Sequence, residues 1–191
     1  MTLFLGAMKI LKYLKLLKYV LRKADQELRS VEMRSRNWPE VRFQKNVQIK
    51  GSAENISIAQ GAQINSDVYL NSGGESYGGD GKIVIGSKAI VGAKTTLFAG
   101  GGVIEIGKNC DIGVGVLILS HSAISSRENS KEFSHTRISI ADNVYISSGA
   151  IILGETSIGE NCTVTSGAVV QGNFKKNFLI TGNPAKAFPK H

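Results

Sequence analysis

Two of the chain's three histidines, His121 and His135, stand in one polar run, LSHSAISSRENSKEFSHTRIS, at residues 119–139. Histidine is the side chain whose ordinary titration lies nearest neutrality. An imidazole held out from a rigid body can therefore take a proton from a weak nucleophile such as a hydroxyl. Metal chemistry is poorly served by the same residues. A zinc centre needs three or four ligands converging from different segments. Here the third histidine, His191, is the last residue, and Cys110 and Cys162 have no further Cys or His at ligand spacing. The expectation for metals is none. The cysteines read as small buried core residues, not as a disulfide.

A repeat positions those histidines. Ile140, Ile146, Ile152, Ile158, Val164 and Val170 fall on a strict spacing of six, and Val144, Ala150, Thr156, Cys162 and Ala168 recur four residues after the beat. A helix repeats every 3.6 residues and a strand every two. A period of six suits a chain that makes a short strand, turns a corner and makes another, the hexapeptide pattern of a parallel β-helix. The beat also runs through Ile58, Ile64 and Leu70, through Ile85, Val91 and Leu97, and through Ile106, Ile112 and Ile118. Three hexads close one triangular coil, so the body amounts to about five coils and stands roughly 25 Å tall at the usual strand spacing. The 22 glycines fit tight corners. Between Ile118 and Ile140 the beat is lost. The polar histidine run is thus expected as a loop extruded from one face, over about 119–139. The Gly-rich stretch SGGESYGGDGK, residues 72–82, lacks the strand–turn–helix setting of a phosphate cradle and reads as a loop or loose corner.

The N-terminal segment is different in kind. Residues 1–36 carry nine Lys or Arg and three acids, so +6 of the formal +8 sits there. Lys9, Lys12, Lys15 and Lys18 recur every third residue, with Leu11, Leu14, Leu17 and Leu21 on the opposing surface of a helix. No window near 20 residues is free of lysine, which argues against a membrane span, and charges interrupt the apolar run a signal peptide needs. Residues 3–23 suit a helix lying in the plane of an anionic membrane surface, or one packed on protein with its lysines in water. Few aromatics accompany the charge, so nucleic acid is not an expected partner. The expected organisation is a basic helical extension at 1–37, a β-helix body at 38–174 and a C-terminal tail at 175–191.

The extruded loop opened by Ser120-His121, the run NVYISSGAIILGETSIGENCTVTSGAVV and the closing GNPAKAF together resemble the hexapeptide-repeat acyltransferases. The likeness is nearest to the galactoside, maltose and xenobiotic acetyltransferase branch and the polysaccharide O-acetyltransferases. The resemblance implies an all-β, left-handed parallel β-helix with one extruded loop, assembled as a homotrimer with acetyl-CoA in the groove between prisms. It implies that His121 is the general base. It places Ser148 and Gly149 at the corner beside the thioester and Ser166 one coil along, with Lys186 near the coenzyme phosphates. His135 and Tyr145 are assigned to the acceptor side. Tyr145 stands where the family usually has Trp, and Gln171-Gly172-Asn173 replaces the usual Thr-Lys-Asp.

These features lead to the expectation of an acetyl-CoA-dependent O-acetyltransferase acting on a sugar hydroxyl of a surface polysaccharide or its precursor, in the cytoplasm or peripheral on the inner face of a membrane. Two alternatives stay open: a non-catalytic β-helical scaffold, and an acetyltransferase for a small free sugar or amino sugar. A γ-type carbonic anhydrase, the zinc enzyme on this fold, would need three histidines from adjacent coils, which the chain does not have.

Overall fold

The computed structural model describes residues 13–14, 16–21, 24, 34, 37–74, 79–125 and 131–190, and for 121–134 the strand backbone only. Two compact units result, Met1–Pro39 and Glu40–His191. In the first, residues 13–14, 16–21, 24, 34 and 37 are helical.

The second unit is a three-faced parallel β-helix. One face stacks Arg42–Phe43, Gln63–Ile64, Ile90–Val91, Asp111–Ile112, Tyr145–Ile146 and Thr163–Val164, then Phe178–Gly182 and Ala185–Pro189. The second face stacks Gln48–Lys50, Tyr69–Asn71, Thr96–Phe98, Leu117–Leu119, Ile151–Leu153 and Val169–Val170. The third stacks Ile56–Ile58, Lys82–Ile85, Val103–Ile106, Arg137–Ile140, Thr156–Ile158 and Asn173–Phe174. Neighbouring coils pair in parallel register, so like residues stack. The first face aligns Ile64, Val91, Ile112, Ile146, Val164 and Ile180, all at 0% exposure. Each hexad beat is thus one inward rung of a column, and each buried aliphatic contributes about 1.5–3 kcal/mol relative to exposure.

There are six coils, not about five. The extra one, Arg42–Ile58, begins before the first clear beat at Ile58, because Phe43 and Ile49 are only half-buried at the open end of the column. The C-terminal tail does not leave the prism either. Phe178–Gly182 joins the first face in parallel, and Ala185–Pro189 folds back antiparallel to it.

The corners need less glycine than expected. Among the described residues, nine non-glycine positions hold left-handed φ, among them Asn46, Asp67 and Lys94 between the first and second faces, and Lys88, Asn109, Asn143, Asn161 and Asn177 between the third and first. Asn and Asp tolerate this conformation best. At several of these corners the left-handed residue's N–H donates to a carbonyl of the preceding coil, as Asp67 to Lys45, Lys94 to Ser66 and Asn143 to Lys108 at 2.9–3.1 Å.

Both cysteines are buried and free, and each Sγ lies 3.0 Å from a carbonyl of the next coil, Ala141 O for Cys110 and Lys175 O for Cys162. Burial raises the Cys110 thiol pKa, and the Asp142 carboxylate adds to the effect.

Candidate active site

The histidine run is a β-hairpin. His121–Ser125 pairs antiparallel with Lys131–His135, between Leu117–Leu119 of the second face and Arg137–Ile140 of the third. Its neck is clamped. Ser120 is fully buried, its N–H donates to Phe98 O at 3.1 Å and its hydroxyl to Ala99 O at 2.8 Å. Thr136 N–H donates to Ser120 O at 3.0 Å, and the Thr136 hydroxyl donates to the same oxygen. His121 therefore leaves the prism from a backbone held on both sides, although its side chain lies outside the described residues. His121 and His135 are register partners across the neck. The His135 side chain is exposed, and its ring lies against the backbone of Gly101, where any Cβ would collide with Cε1 and Nδ1.

At the other edge of the second face runs a strip of bare backbone. In the first three coils the left-handed corner residue is Asn46, Asp67 or Lys94, at φ 57°, 61° and 59°. In the last three it is Gly115, Gly149 and Gly167, at φ 66°, 71° and 69°. The conformation is the same, so the backbone does not demand glycine there. A Cβ on any of the three would meet nothing within 4 Å of its own chain, so packing inside the chain does not demand it either. Glycine is the usual residue where a ligand approaches backbone closely. Ser148 and Ser166 are exposed beside this strip. Ser148 Oγ accepts from Val114 N–H at 3.1 Å, tying two coils of the strip together.

Lys186 reaches the same edge. It pairs with Thr181, whose hydroxyl lies 2.8 Å from that of Thr165, the residue before Ser166. Lys186 is exposed. Tyr145 stands elsewhere, on the first face between Asp111 and Thr163, with its ring 46% exposed.

Within one chain the structure thus groups Ser148, Gly149, Ser166 and Lys186 at one edge of the second face and His121 with His135 at the other. Strand Leu117–Leu119 lies between the two edges. Gly115 and Gly167 were missed by sequence reasoning, although Gly167 follows Gly149 by one 18-residue coil and repeats the Ser-Gly-Ala context. Gly101 carried no signal beyond its place in a run of three glycines.

Residues 137–172 match the family model described as bacterial transferase hexapeptide, six repeats. That match spans 36 of the chain's 191 residues. No curated protein matches the sequence as a whole. Among solved structures, the hexapeptide prism is similar to AntD, an N-acyltransferase from Bacillus cereus seen with dTDP and 3-hydroxybutyryl-CoA, at 19% identity over 85% of this chain and 88% of that one, with a TM-score of 0.70. It is also similar to the hexapeptide-repeat-containing acetyltransferase VCA0836 from Vibrio cholerae, at 19% identity over 86% and 80%, TM-score 0.54. A third is the polySia-specific acetyltransferase NeuO, at 18% over 79% and 71%, TM-score 0.50. At these identities the likeness establishes the fold, the left-handed parallel β-helix. Among the described residues of the hexapeptide prism, no group of His, Cys, Asp and Glu is placed to hold a metal ion.

Proposed function

We propose that the chain is an acyl-CoA-dependent acyltransferase that moves acetyl to a sugar hydroxyl. The glycine strip Gly115–Gly149–Gly167 carries this reading: it offers a pantetheine arm a path without side chains, with Lys186 at its end for phosphate. The solved structures of the same fold include an N-acyltransferase holding an acyl-CoA and two acetyltransferases. In this reading the acceptor oxygen attacks the thioester carbonyl while His121 accepts the hydroxyl proton. The carbon–sulfur bond then breaks, and the proton passes to the coenzyme's sulfur, giving ester and free thiol. No covalent acyl-enzyme is needed, because both substrates are held together.

The separation of the two half-sites supports a trimer. After Gln48 and Lys50 of its first coil, the second face presents Tyr69, Thr96, Phe98, Leu117, Leu119, Ile151, Leu153 and Val169 outward, mostly apolar, whereas the third presents Val84 and Val103 among Ser57, Lys82, Glu105, Arg137, Ser139, Ser157 and Asn173. An outward apolar sheet face calls for cover. If three copies turn this face to a common axis, each prism sets one edge of it against the opposite edge of its neighbour, as a head-to-tail ring requires. The hairpin of one chain then meets the glycine strip of the next, and the site is complete.

The acceptor is proposed to be a surface polysaccharide or its lipid-linked precursor, with residues 3–23, of which 13–14 and 16–21 are described, resting on an anionic membrane. Among the described residues no helix is long and apolar enough to cross one. Yet Leu14, Leu16, Leu17, Val20 and Leu21 are each at least half exposed on this basic helix.

The deciding experiment is acetyl-CoA calorimetry on wild type beside Gly149→Asn. Asn holds the same φ at position 46 of the same corner column, so the fold tolerates it while its amide obstructs the strip. Micromolar binding by wild type and at least tenfold weaker binding by the variant are expected. Absence of wild-type binding would move the chain to the scaffold reading.

A further inference from the structure

We infer that the edge between the second and third faces holds a subsite for a second sugar residue of the acceptor, in a slot between two stacked hairpins. The inference rests on the acyltransferase reading and deepens it: the acceptor is a glycan of at least two residues rather than a free monosaccharide.

A second excursion leaves the same edge as the histidine hairpin. Two coils below it, Gly73–Gly74 pairs antiparallel with Gly79–Asp80. Both hairpins are built on one kind of neck. Ser72 and Ser120 each follow a second-face strand and are fully buried, and the carbonyl of each accepts the N–H of the residue that closes the neck, Gly81 or Thr136. Each hydroxyl donates to a carbonyl of the coil below, Lys50 O at 3.4 Å for Ser72 and Ala99 O at 2.8 Å for Ser120. The coil between them closes the same corner with no hairpin, by Gly102 N–H donating to Ala99 O at 2.7 Å. Closing a coil therefore does not require an excursion, and insertions in solenoids gather on the binding face.

The lower hairpin is fixed by a residue taken out of an apolar column. Phe98, Leu119 and Leu153 stack in register on the second face, and Asn71 continues their column one coil below. Asn71 is fully buried, which is costly for an amide unless it is hydrogen-bonded. Its Oδ1 accepts from Gly73 N–H at 2.8 Å, and its Nδ2 donates to the Tyr69 hydroxyl at 3.0 Å. The amide is spent on holding the first residue of the hairpin.

The two necks set the size of the slot. Neighbouring coils lie about 4.8 Å apart, so the hairpins leave the prism about 10 Å apart. Two β-layers at that distance normally fill the gap with side chains from both. The described part of the lower hairpin carries one side chain, the exposed Asp80. Gly73, Gly74 and Gly79 hold φ 111°, 137° and 138°, a conformation that favours glycine, and a Cβ on Gly74 or Gly79 would meet nothing within 4 Å. With side chains from one layer only, roughly 5 Å of the gap is left, enough for one saccharide ring. Between the necks the Gly100-Gly101-Gly102 corner forms the floor, with the His135 ring laid against Gly101. Glycine backbone and the Asp80 carboxylate supply donors and acceptors for ring hydroxyls. The upper wall is the hairpin that begins at His121, so a sugar in the slot is next in the chain to the one presented to the base.

The test uses the full-length protein with acetyl-CoA and p-nitrophenyl hexosides beside the p-nitrophenyl disaccharides that extend them, read by thiol release, with acetyl-CoA calorimetry on every variant. Wild type is expected to favour the disaccharides at least tenfold in kcat/KM. One variant replaces residues 72–81 by Ala-Gly-Gly-Gly, the sequence with which the next coil closes the same corner. A second, Asp80→Arg, keeps the hairpin and obstructs the slot, and decides the question if the shortened chain does not fold. Each should raise the disaccharide KM about tenfold and leave the hexoside KM and acetyl-CoA affinity within twofold. Equal use of hexosides and disaccharides by wild type, or a preference that survives in every variant that folds, would overturn the inference alone. Weakened acetyl-CoA binding in both variants would also overturn it, by making the hairpin structural. A wild type that binds no acetyl-CoA, or binds it yet acetylates neither kind of acceptor, would overturn the reading beneath it and the inference with it.

Discussion

His121 and His135 face one another across the neck of a single hairpin, Cα paired with Cα, although one opens the excursion from the prism and the other closes it. Two residues of the type best suited to proton transfer are thereby held at one edge, by a neck whose backbone and hydroxyl groups are bonded to the coil below. In the proposed reading, backbone held on both sides restricts where the base can stand, and restricted placement is what would bring a weak hydroxyl within reach of a thioester.

For His121 the expected outcome of substitution is a loss confined to chemistry. His121→Ala should lower kcat by about 10²–10⁴, the usual range for a general base. Acetyl-CoA affinity measured by calorimetry should remain within twofold, because the glycine strip lies at the other edge. A variant that kept most of its turnover would remove His121 from the mechanism.

The buried thiol of Cys110 makes stability depend on pH in a stated direction. Burial, aided by Asp142, raises its folded-state pKa, so the folded protein keeps a proton that the unfolded chain gives up near the ordinary thiol value of about 8.5. Stability is therefore fully present below that pH and declines as pH rises from there towards the folded-state pKa. Thermal melts from pH 7 to 10 should show Tm falling at the alkaline end. Cys110→Ala should fall less steeply, although it starts lower for want of the sulfur's packing. Equal slopes in the two proteins would show that other groups govern the alkaline limit.

Much of this architecture was legible because a hexad beat reports which residue points inward, and inward residues form columns regardless of loops. The histidine excursion was legible as a break in that beat. Outward columns were not. Successive strands of the first face begin at Arg42, Gln63, Ile90, Asp111, Tyr145 and Thr163, so only the last two coils keep the 18-residue period that would align their corners by eye. Without that alignment Gly115 cannot be seen to stand under Gly149 and Gly167, nor Asn46, Asp67 and Lys94 to hold the same left-handed conformation with a side chain. The opposition of His135 to His121 depends on hairpin register, which the polar sequence of the loop does not specify. The apolar outer surface of the second face was hidden for a related reason. Its residues alternate with the beat inside strands of only two or three residues, too short for a period of two to be read.

That second face gives the next prediction. Leu153 and Leu119 both point outward from it in stacked register, flanking the buried Ile152 and Ile118. Leu153→Lys should leave the monomer folded, since the substituted side chain already lies outside the core. In a ring of three it would set three ammonium groups near one another in an apolar interface, where unpaired charge is costly. Light scattering should show the mass falling from three chains to one, with acetyl transfer lost in proportion. An unchanged trimer would show that the second face is not the one turned inward.

Helical residues 13–14 and 16–21 make a separate and independent claim. Leu14, Leu17 and Leu21 are 50–59% exposed, and Lys18 beside them is exposed too. Apolar residues spaced three and four apart share one side of a helix, so these leucines form a stripe. A basic amphipathic helix gains membrane affinity from two sources, burial of the apolar stripe and attraction of its lysines to anionic lipid. The two can be separated. Replacing Leu14, Leu17 and Leu21 by Glu removes the first and opposes the second, and should abolish sedimentation with vesicles containing anionic phospholipid. Wild type should pellet with those vesicles, weaken as salt rises through 0.5 M because exposed charge is screened, and ignore vesicles of neutral lipid. Equal binding by wild type and the triple variant would mean that some other surface meets the membrane. No binding by wild type would leave the exposed leucines to be covered by protein instead.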